Sequence, residues 1–335
     1  MTSTSTLPVV DGALSDRLTE RLTLVEELLR SSVAQSDALA DTAARHLVNA
    51  GGKRLRPMLT LLTAELGDAD RREVLDAALA VELTHLATLY HDDVMDSAPL
   101  RRGAPSAHEV WGNSVAIITG DLLFARSSVV VAGLGPQAVR LHAETFERLC
   151  LGQLHETVGP QPGEDPVAHY LQVLADKTGS LIATSARYGA SFAGCSTTVV
   201  EALARYGEHL GVAFQLADDV IDLSEDGALT GKTPGTDLRE GVPTLPTLLL
   251  RRAAAAPDVT ESDLALVALL DTDLSQDDAL AAAVRGLRDH AVVERTRERA
   301  IAVARAAVAE LAPVPDGPVK DALVAFADAL VDRAS

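Results

Sequence analysis

Apolar residues recur at three- and four-residue spacing along nearly the whole chain, and this helical period constrains the fold more than any other feature. Leu18, Leu22 and Val25 begin the pattern, and it continues to the C-terminus with few of the alternating runs that predict strands. Aromatic residues make up only 3% of the chain, so Ala, Leu and Val must fill the interior, which suits close packing of helices. The sequence therefore predicts an all-α protein.

No Gly/Ser-rich linker and no break in composition divides the 335 residues, so we expect a single all-α domain over residues 15–335. Residues 1–14 are interpreted as a disordered tail, with Ser15 as the N-cap of the first helix. Further helices are predicted at 37–50, 54–66, 70–97, 113–133, 136–158, 166–176, 179–194 and 198–223.

Charge and cysteine content limit the partners and the compartment. The formal net charge of −19 argues against nucleic acid as a partner, because phosphates require a basic surface. Cys150 and Cys195 offer no disulfide framework and are expected to be core residues in a reducing cytoplasm. We expect no transmembrane segment, because the nearest apolar stretch is broken by Asp121 and Arg126.

The spacing Asp-Asp-x-x-Asp occurs twice, each time toward the end of a predicted helix. Three ionised carboxylates at one helix end repel one another, and this raises the electrostatic free energy unless a cation compensates. Oxygen ligands favour a hard ion such as Mg²⁺. A solvated acidic surface would explain one cluster but not two that stand 126 residues apart (218 − 92). We therefore predict that the two clusters bind divalent ions together. Their members are Asp92, Asp93, Asp96, Asp218, Asp219 and Asp222.

Basic residues form small, separated groups near these clusters, which is unusual in so acidic a chain. Lysine and arginine at a helix start that follows two glycines suit a phosphate-bearing ligand. The groups contain Lys53, Arg54, Arg56, Arg101, Arg102, Lys177 and Lys232.

Two other motifs are rejected. The segment 227–233 resembles a nucleotide-binding P-loop, but three residues instead of four separate its glycines and no strand precedes it. The run His91-Asp92-Asp93 could belong to a metal phosphohydrolase, but the other eight histidines are scattered along the chain.

Several motifs in one order resemble those of trans-isoprenyl diphosphate synthases, the polyprenyl synthetase family. They run from about Gly51 to Pro246: GGKRLRP, THLATLYHDDVMD, RRG, GDLLFAR, KTGSL, FQLADD and GKTPGTDLREGVPTLP. The resemblance implies an isoprenoid synthase-type helical bundle around a deep central cavity, in a homodimer. It also implies head-to-tail condensation of isopentenyl diphosphate with an allylic diphosphate.

The same resemblance implies roles for individual residues. Asp92 and Asp96, supported by Asp93, and Asp218, with Asp219 and Asp222, resemble the ligands of three Mg²⁺ ions that hold the allylic diphosphate. Its direct contacts would be Arg101, Lys177, Thr178, Gln215 and Lys232. The pocket for isopentenyl diphosphate would contain Lys53, Arg56, His85 and Arg102. This chain departs from the family at two positions. The family often has lysine at the position of Val242 and asparagine at the position of His108.

Product length is expected to depend on Thr84, Ala87 and Thr88, which lie eight, five and four residues before Asp92. In this family, bulky aromatics at the nearer positions give short products. The small residues here predict a long-chain product of roughly seven to ten isoprene units, such as a quinone side-chain precursor. We expect Ala87→Phe to shorten it. The alternative is that Phe124 forms a nearer floor and the product has geranylgeranyl length.

Alternatives from other classes remain. A terpene cyclase would not need the motif GGKRLRP, and a non-catalytic regulatory subunit of a synthase would not need two intact aspartate clusters. A helical metal-binding scaffold would not need the dispersed cations. Transient membrane contact during product release stays open.

Overall fold

A computed structural model describes residues 11–224 and 234–332, and these residues are almost entirely helical. The elements up to the second aspartate cluster are α1 Gly12–Ser32, α2 Ala38–Asn49, α3 Leu55–Ala64, α4 Arg72–Met95, β1 Leu100–Arg101, β2 Ala104–Pro105, α5 Ala107–Trp111, α6 Asn113–Gly133, α7 Pro136–Val158, α8 Pro166–Leu174, a π-helical turn Ala175–Gly179, α9 Ser180–Phe192 and α10 Thr197–Asp222. The remaining helices are α11 Thr236–Glu240, α12 Leu245–Ala254, α13 Glu261–Leu270, α14 Asp277–Arg288, α15 Ala291–Glu310 and α16 Pro318–Asp332. The all-α prediction is confirmed.

Apart from shifts of one or two residues at helix ends, the helices differ from the prediction at two places. Helix α1 begins at Gly12 with Asp11 as its N-cap, not Ser15, because the Asp11 carboxylate accepts a hydrogen bond from the Leu14 N–H at 2.7 Å. The predicted tail is therefore helical from Gly12, and its first ten residues lie outside the described part. The helices predicted on either side of Lys177 are joined through the π-helical turn, so the chain stays helical there.

The chain divides into two compact units. The first contains the described residues up to Glu147, together with Leu181–Gly207 and Glu310–Ala325. The second contains Arg148–Ser180, the described residues of Glu208–Ala309, and the residues from Phe326 onward. The single domain over residues 15–335 stays a prediction.

In the first unit, a buried apolar cluster fixes the end of α4. Leu29 of α1, Leu47 of α2 and Leu86 of α4 are fully buried, and burying side chains of this size stabilises the fold by about 1.5–3 kcal/mol each. The Tyr90 hydroxyl orients α4 relative to α2, because it donates to the Ala43 carbonyl at 2.5 Å and accepts from the Leu47 N–H at 3.2 Å. The last turn of α4 therefore has a defined orientation.

In the second unit, a separate cluster fixes the end of α10. Tyr170 and Leu174 of α8, Leu216 of α10 and Leu245 of α12 pack together and are buried. The cluster joins the FQLADD helix to the segment GVPTLP, which lies about 25 residues further along the chain.

Helix α6 is long and apolar enough to cross a membrane, with a mean hydropathy of 1.7, although only 33% of that stretch is buried. It also carries the exposed Asp121, and Arg126 donates to the side chain of Gln35 at 3.0 Å. A single helix of this kind is weak evidence for a membrane span. Cys150 on α7 is exposed, so the prediction that it is a core residue is wrong.

Candidate functional site

The first aspartate cluster stands at the last turn of α4, and its three carboxylates do not share one environment. Successive helical residues turn by about 100°, so Asp92 and Asp96 differ by only about 40° around the helix, whereas Asp92 and Asp93 differ by about 100°. Asp93 is fully buried and accepts a hydrogen bond from the Arg101 Nε at 2.5 Å. Asp92 is half-buried and Asp96 is exposed. Of the three carboxylates, Asp93 is therefore the one that is buried against a cation.

Burial raises the pKa of Asp93, and the nearby Arg101 lowers it without cancelling that effect. Its Oδ2 atom is buried and has no hydrogen-bond partner within the described residues. Asp93 is therefore a buried carboxylate whose one evident partner is the guanidinium of Arg101.

A two-stranded hairpin presents both arginines of the RRG motif. Strand β1 pairs antiparallel with β2, Leu100 opposite Pro105, and the His46 ring Nε2 lies 2.7 Å from the Pro105 carbonyl. In the turn, Arg102 has a left-handed φ of 55°, and its guanidinium donates to the carbonyls of Gly51 and, at 3.3 Å, Leu47. The hairpin therefore reaches the start of the GGKRLRP loop.

Gly52 makes this approach possible. A Cβ atom at that position would lie 2.7 Å from Cζ of Arg102, and the glycine has a φ of 142° that other residues rarely adopt. The glycine pair of GGKRLRP therefore creates space for an arginine that comes from elsewhere in the sequence.

A buried ion-pair network joins the start of α3 to α1 and α4. Arg54 is the N-cap of α3, with a left-handed φ of 49°. It is buried, and it pairs with Glu26 and, at 2.7 Å, with Glu82. Burial by itself lowers the pKa of Arg54, but the two glutamates more than compensate and raise it. The sequence prediction missed both glutamates. Glu82 stands three residues before His85 on the same helical face, which was the available signal.

The predicted pocket residues Arg56, His85 and Arg102 share one electrostatic environment. Burial lowers the pKa of Arg56 to about 10, opposed by Glu82, so its guanidinium stays charged at neutral pH. Burial, with Arg56 and Arg102 nearby, holds the pKa of His85 well below its usual value. The pocket therefore combines charged guanidinium groups with a neutral imidazole. Lys53 is exposed beside it.

The second aspartate cluster ends α10 and repeats the arrangement with different partners. Asp219 is buried, and it accepts hydrogen bonds from the Tyr170 hydroxyl, at 2.8 and 2.9 Å, and from the Leu245 N–H at 3.0 Å. Burial raises the pKa of Asp219 to about 8. Asp218 and Asp222 are half-buried one helical turn apart. The sequence prediction did not identify Tyr170 or Leu245.

Asp222 also supports the next helix of the second unit. Its carboxylate accepts hydrogen bonds from the backbone N–H groups of Thr236, at 3.2 Å, and Asp237, at 3.3 Å, at the start of α11. Asp222 therefore connects α10 to the segment that follows residues 225–233. Lys232, predicted to contact the allylic diphosphate, lies outside the described residues.

The other predicted contacts of the second unit lie on helices. Lys177 and Thr178 belong to the π-helical turn, a feature that often marks functional sites, and Lys177 forms an ion pair with Glu156 of α7. Gln215 is half-buried on α10, one turn before Asp218.

Within the described parts of the chain, no group of three or more His, Cys, Asp or Glu side chains is arranged to hold a metal ion. The available donors are carboxylate oxygens, and Mg²⁺ typically uses one or two of these together with waters and substrate phosphates. The flanking aspartates of each cluster fit that mode of binding.

The residues predicted to control product length differ in exposure. Thr84 is buried, and its hydroxyl forms a hydrogen bond of 2.9 Å with the Ser127 hydroxyl. Ala87 is fully buried in the core cluster of the first unit. Thr88 is half-buried, and Phe124 stacks on Phe146 with ring centroids 3.7 Å apart. Thr88 is thus the more exposed of the two nearer positions, and the roles of Thr84, Ala87, Thr88 and Phe124 in product length stay a prediction.

Comparisons with known proteins cover nearly the whole chain. The model of the family described as polyprenyl synthetase matches residues 37–285. The nonaprenyl diphosphate synthase of Mycobacterium tuberculosis is 45% identical over 310 residues, which is 92% of this chain and 91% of that protein.

Solved structures agree with the sequence comparison. Geranylgeranyl pyrophosphate synthase from Corynebacterium glutamicum, complexed with calcium and isoprenyl diphosphate, has a TM-score of 0.86 and 40% identity, covering 97% of this chain and 99% of that one. A decaprenyl diphosphate synthase from Rhodobacter capsulatus has a TM-score of 0.85 and 34% identity, covering 96% and 99%.

Proposed function

Because this chain belongs to the polyprenyl synthetase family, we propose that it condenses isopentenyl diphosphate head-to-tail with an allylic diphosphate to make a long-chain all-trans polyprenyl diphosphate. It is a prenyltransferase. The nonaprenyl and decaprenyl synthases among its relatives support a long-chain product. Its use as a quinone side-chain precursor is part of the proposal.

One structural observation carries the assignment. In both aspartate clusters the middle carboxylate is buried and hydrogen-bonded, while the flanking pair lies one helical turn apart with partial or full exposure. We assign the flanking aspartates to divalent-ion binding and the middle ones to orienting their helix ends. The ligands would be Asp92, Asp96, Asp218 and Asp222.

The bound ions, which we take to be three Mg²⁺, would neutralise the diphosphate and stabilise it as a leaving group. Arg101, Lys177 and Lys232 would bind the same diphosphate through fixed positive charge, with Thr178 and Gln215 as polar contacts. Arg101 suits this role because Asp93 already orients its guanidinium.

The basic pocket of the first unit suits the second diphosphate. Lys53, Arg56 and Arg102 would bind it as cations, and neutral His85 would act as a hydrogen-bond partner. The buried pair of Arg54 and Glu82 would hold the loop and α4 in place beneath it. This binding positions the homoallylic double bond for reaction.

The proposed reaction accounts for every bond and proton with the two substrates alone. The allylic C–O bond breaks and its electron pair leaves with the diphosphate. The double bond of isopentenyl diphosphate then forms the new C–C bond with the allylic cation. Loss of a proton to the departing diphosphate creates the new trans double bond, so this chain needs no side-chain nucleophile.

Product length separates the long-chain proposal from the geranylgeranyl alternative. Thr88→Phe should shorten the product, because Thr88 is the half-buried member of the predicted wall. Ala87→Phe, which the sequence also predicts to shorten the product, should in addition lower stability by about 1–3 kcal/mol, because a bulky side chain must enter a packed core. Chromatography of dephosphorylated products and thermal melting measure the two effects. An unchanged product from Thr88→Phe would contradict this wall.

We further propose a homodimer in the cytoplasm. Helix α6 exposes Ile118 by 66% and Val129 by 68%, and exposed apolar side chains of this size favour association. Transient membrane contact for product release is compatible with this state. Light scattering should give twice the mass of one chain, and Ile118→Asp should lower it.

A direct assay tests the activity. The purified protein is incubated with Mg²⁺, isopentenyl diphosphate and each allylic primer, and the products are sized. We expect long-chain products. Cyclic products would favour a terpene cyclase, and absence of elongation with every primer would favour a non-catalytic subunit.

A further inference from the structure

One face of α7 contacts the π-helical turn at three successive helical turns. Arg148, Gly152 and Glu156 are spaced by four residues, so they lie on the same side of the helix. Arg148 contacts Asp176, Gly152 faces the backbone of Lys177, and Glu156 pairs with the Lys177 ammonium. The position of Lys177 therefore depends on this face of α7.

Arg148 connects the turn to a second helix. Its Nε donates to Asp176 at 2.7 Å, while Nη1 and Nη2 donate to the two carboxylate oxygens of Glu208 on α10 at 3.2 and 2.7 Å. Nη2 also lies 3.4 Å from the Ala175 carbonyl. A planar guanidinium that binds two carboxylates on different elements fixes both distance and angle.

The remaining acceptors of Asp176 are also occupied. Its second carboxylate oxygen accepts from the Gln172 side chain at 2.8 Å, and its carbonyl accepts from the Ser180 hydroxyl at 2.6 Å. Asp176 is buried and directly precedes Lys177 in the chain. A change at Arg148 therefore reaches the backbone next to Lys177.

Glycines bring the backbones on both sides of the turn into contact. A Cβ atom at Gly152 would lie 2.6 Å from the Lys177 nitrogen, and one at Gly211 would lie 2.6 Å from Cα of Gly179. The turn is thus packed tightly between α7 and α10. Tight packing transmits small displacements, because no free volume absorbs them.

We infer that Arg148 is a positioning residue for the prenyl transfer: by bridging Asp176 and Glu208 it holds the π-helical turn so that Lys177 and Thr178 meet the allylic diphosphate. The inference rests on the proposed function of Lys177. None of the sequence motifs that identify the family includes Arg148. Its role follows from the geometry of the second unit.

The main test is Arg148→Met, which removes the guanidinium and keeps an unbranched side chain. We expect kcat/KM for the allylic substrate to fall on the order of ten- to a hundredfold, as for other small misplacements of a binding group, with KM for isopentenyl diphosphate unchanged. Arg148→Lys should recover only part of this loss. Arg140→Met is the matched control, because Arg140 lies on the same helix in an exposed pair with Glu144.

A double-mutant cycle distinguishes positioning from general stability. In a Lys177→Ala background, Arg148→Met should cause little further loss if Arg148 acts through Lys177. Two results would overturn the inference. One is that the losses from Lys177→Ala and Arg148→Met multiply in the double mutant. The other is that Arg148→Met raises KM for isopentenyl diphosphate as much as KM for the allylic substrate and lowers the melting temperature.

A binding measurement tests the positioning role of Arg148 independently of the proposed activity. Calorimetric titration with Mg²⁺ and inorganic diphosphate should show weaker binding for Arg148→Met than for the wild type and Arg140→Met. If the wild type fails to elongate any primer but this difference persists, the proposed activity is wrong and the positioning role stands. Identical binding and kinetics in wild type and Arg148→Met would refute the role.

Discussion

The two aspartate clusters have the same spacing but stabilise their buried carboxylates differently. In the first unit Asp93 accepts from a cation, the Nε of Arg101 at 2.5 Å. In the second unit Asp219 accepts from neutral groups, the Tyr170 hydroxyl and the Leu245 N–H. The same sequence motif therefore occurs in two electrostatic environments.

The difference concerns the charge that each helix end carries before any ion binds. Burial raises the pKa of both carboxylates, but Arg101 opposes the effect at Asp93, while the pKa of Asp219 reaches about 8. In the metal-free protein, burial therefore favours the protonated form of Asp219 near neutral pH. We expect the second cluster to couple ion binding to proton release more strongly than the first.

Breaking the ion pair of the first cluster should have the largest effect. Arg101→Met removes a proposed diphosphate contact and leaves Asp93 buried without its cation. We expect kcat to fall by about a hundredfold or more and the free energy of unfolding to fall by about 3 kcal/mol. Steady-state kinetics and urea unfolding measure these quantities. Arg45→Met, in a partly exposed pair with Asp41, should change neither by a comparable amount. Full activity in Arg101→Met would show that Asp93 does not need this partner.

Removing the neutral donor of the second cluster should have a smaller effect. In Tyr170→Phe the Leu245 N–H still donates to Asp219, so we expect kcat/KM to fall about tenfold and stability to fall by about 1–3 kcal/mol. Tyr188→Phe is the control, because that hydroxyl is also buried but donates to the Ala138 carbonyl at 2.9 Å. Equal kinetic losses in both variants would attribute the effect to general stability.

The pH dependence of stability should sharpen the comparison. The folded-state pKa of Asp219, about 8, lies above the ordinary aspartate value of 3.8. The contribution of Asp219 to stability is therefore lost as pH rises from about 4 to about 8. Relative to Asp219→Asn, the metal-free wild type should lose up to about 1.4 kcal/mol per pH unit across this window. Urea unfolding with a chelator at pH 5, 6.5 and 8 tests this. The corresponding difference for Asp93→Asn should be smaller, and a larger one would reverse the comparison.

Much of the architecture could be predicted from local patterns. Apolar spacing predicted α6 and α7 with their observed bounds, and turn residues separated most helices. The join at Lys177 was missed because a π-helical turn changes the hydrogen-bond register without a turn residue such as proline. Asp11 was missed as an N-cap because Ser15 is equally suitable by residue type.

The sequence by itself determined that the protein is helical and that it carries two acidic motifs with cations around them, because periodicity and residue chemistry are local properties. The tertiary structure decided which carboxylates face inward and what holds them. Tyr170 lies 49 residues from Asp219, and Arg148 lies 60 from Glu208. Residues so far apart meet only when helices pack. Burial, which sets the pKa of Asp219, is a property of that packing and not of the motif.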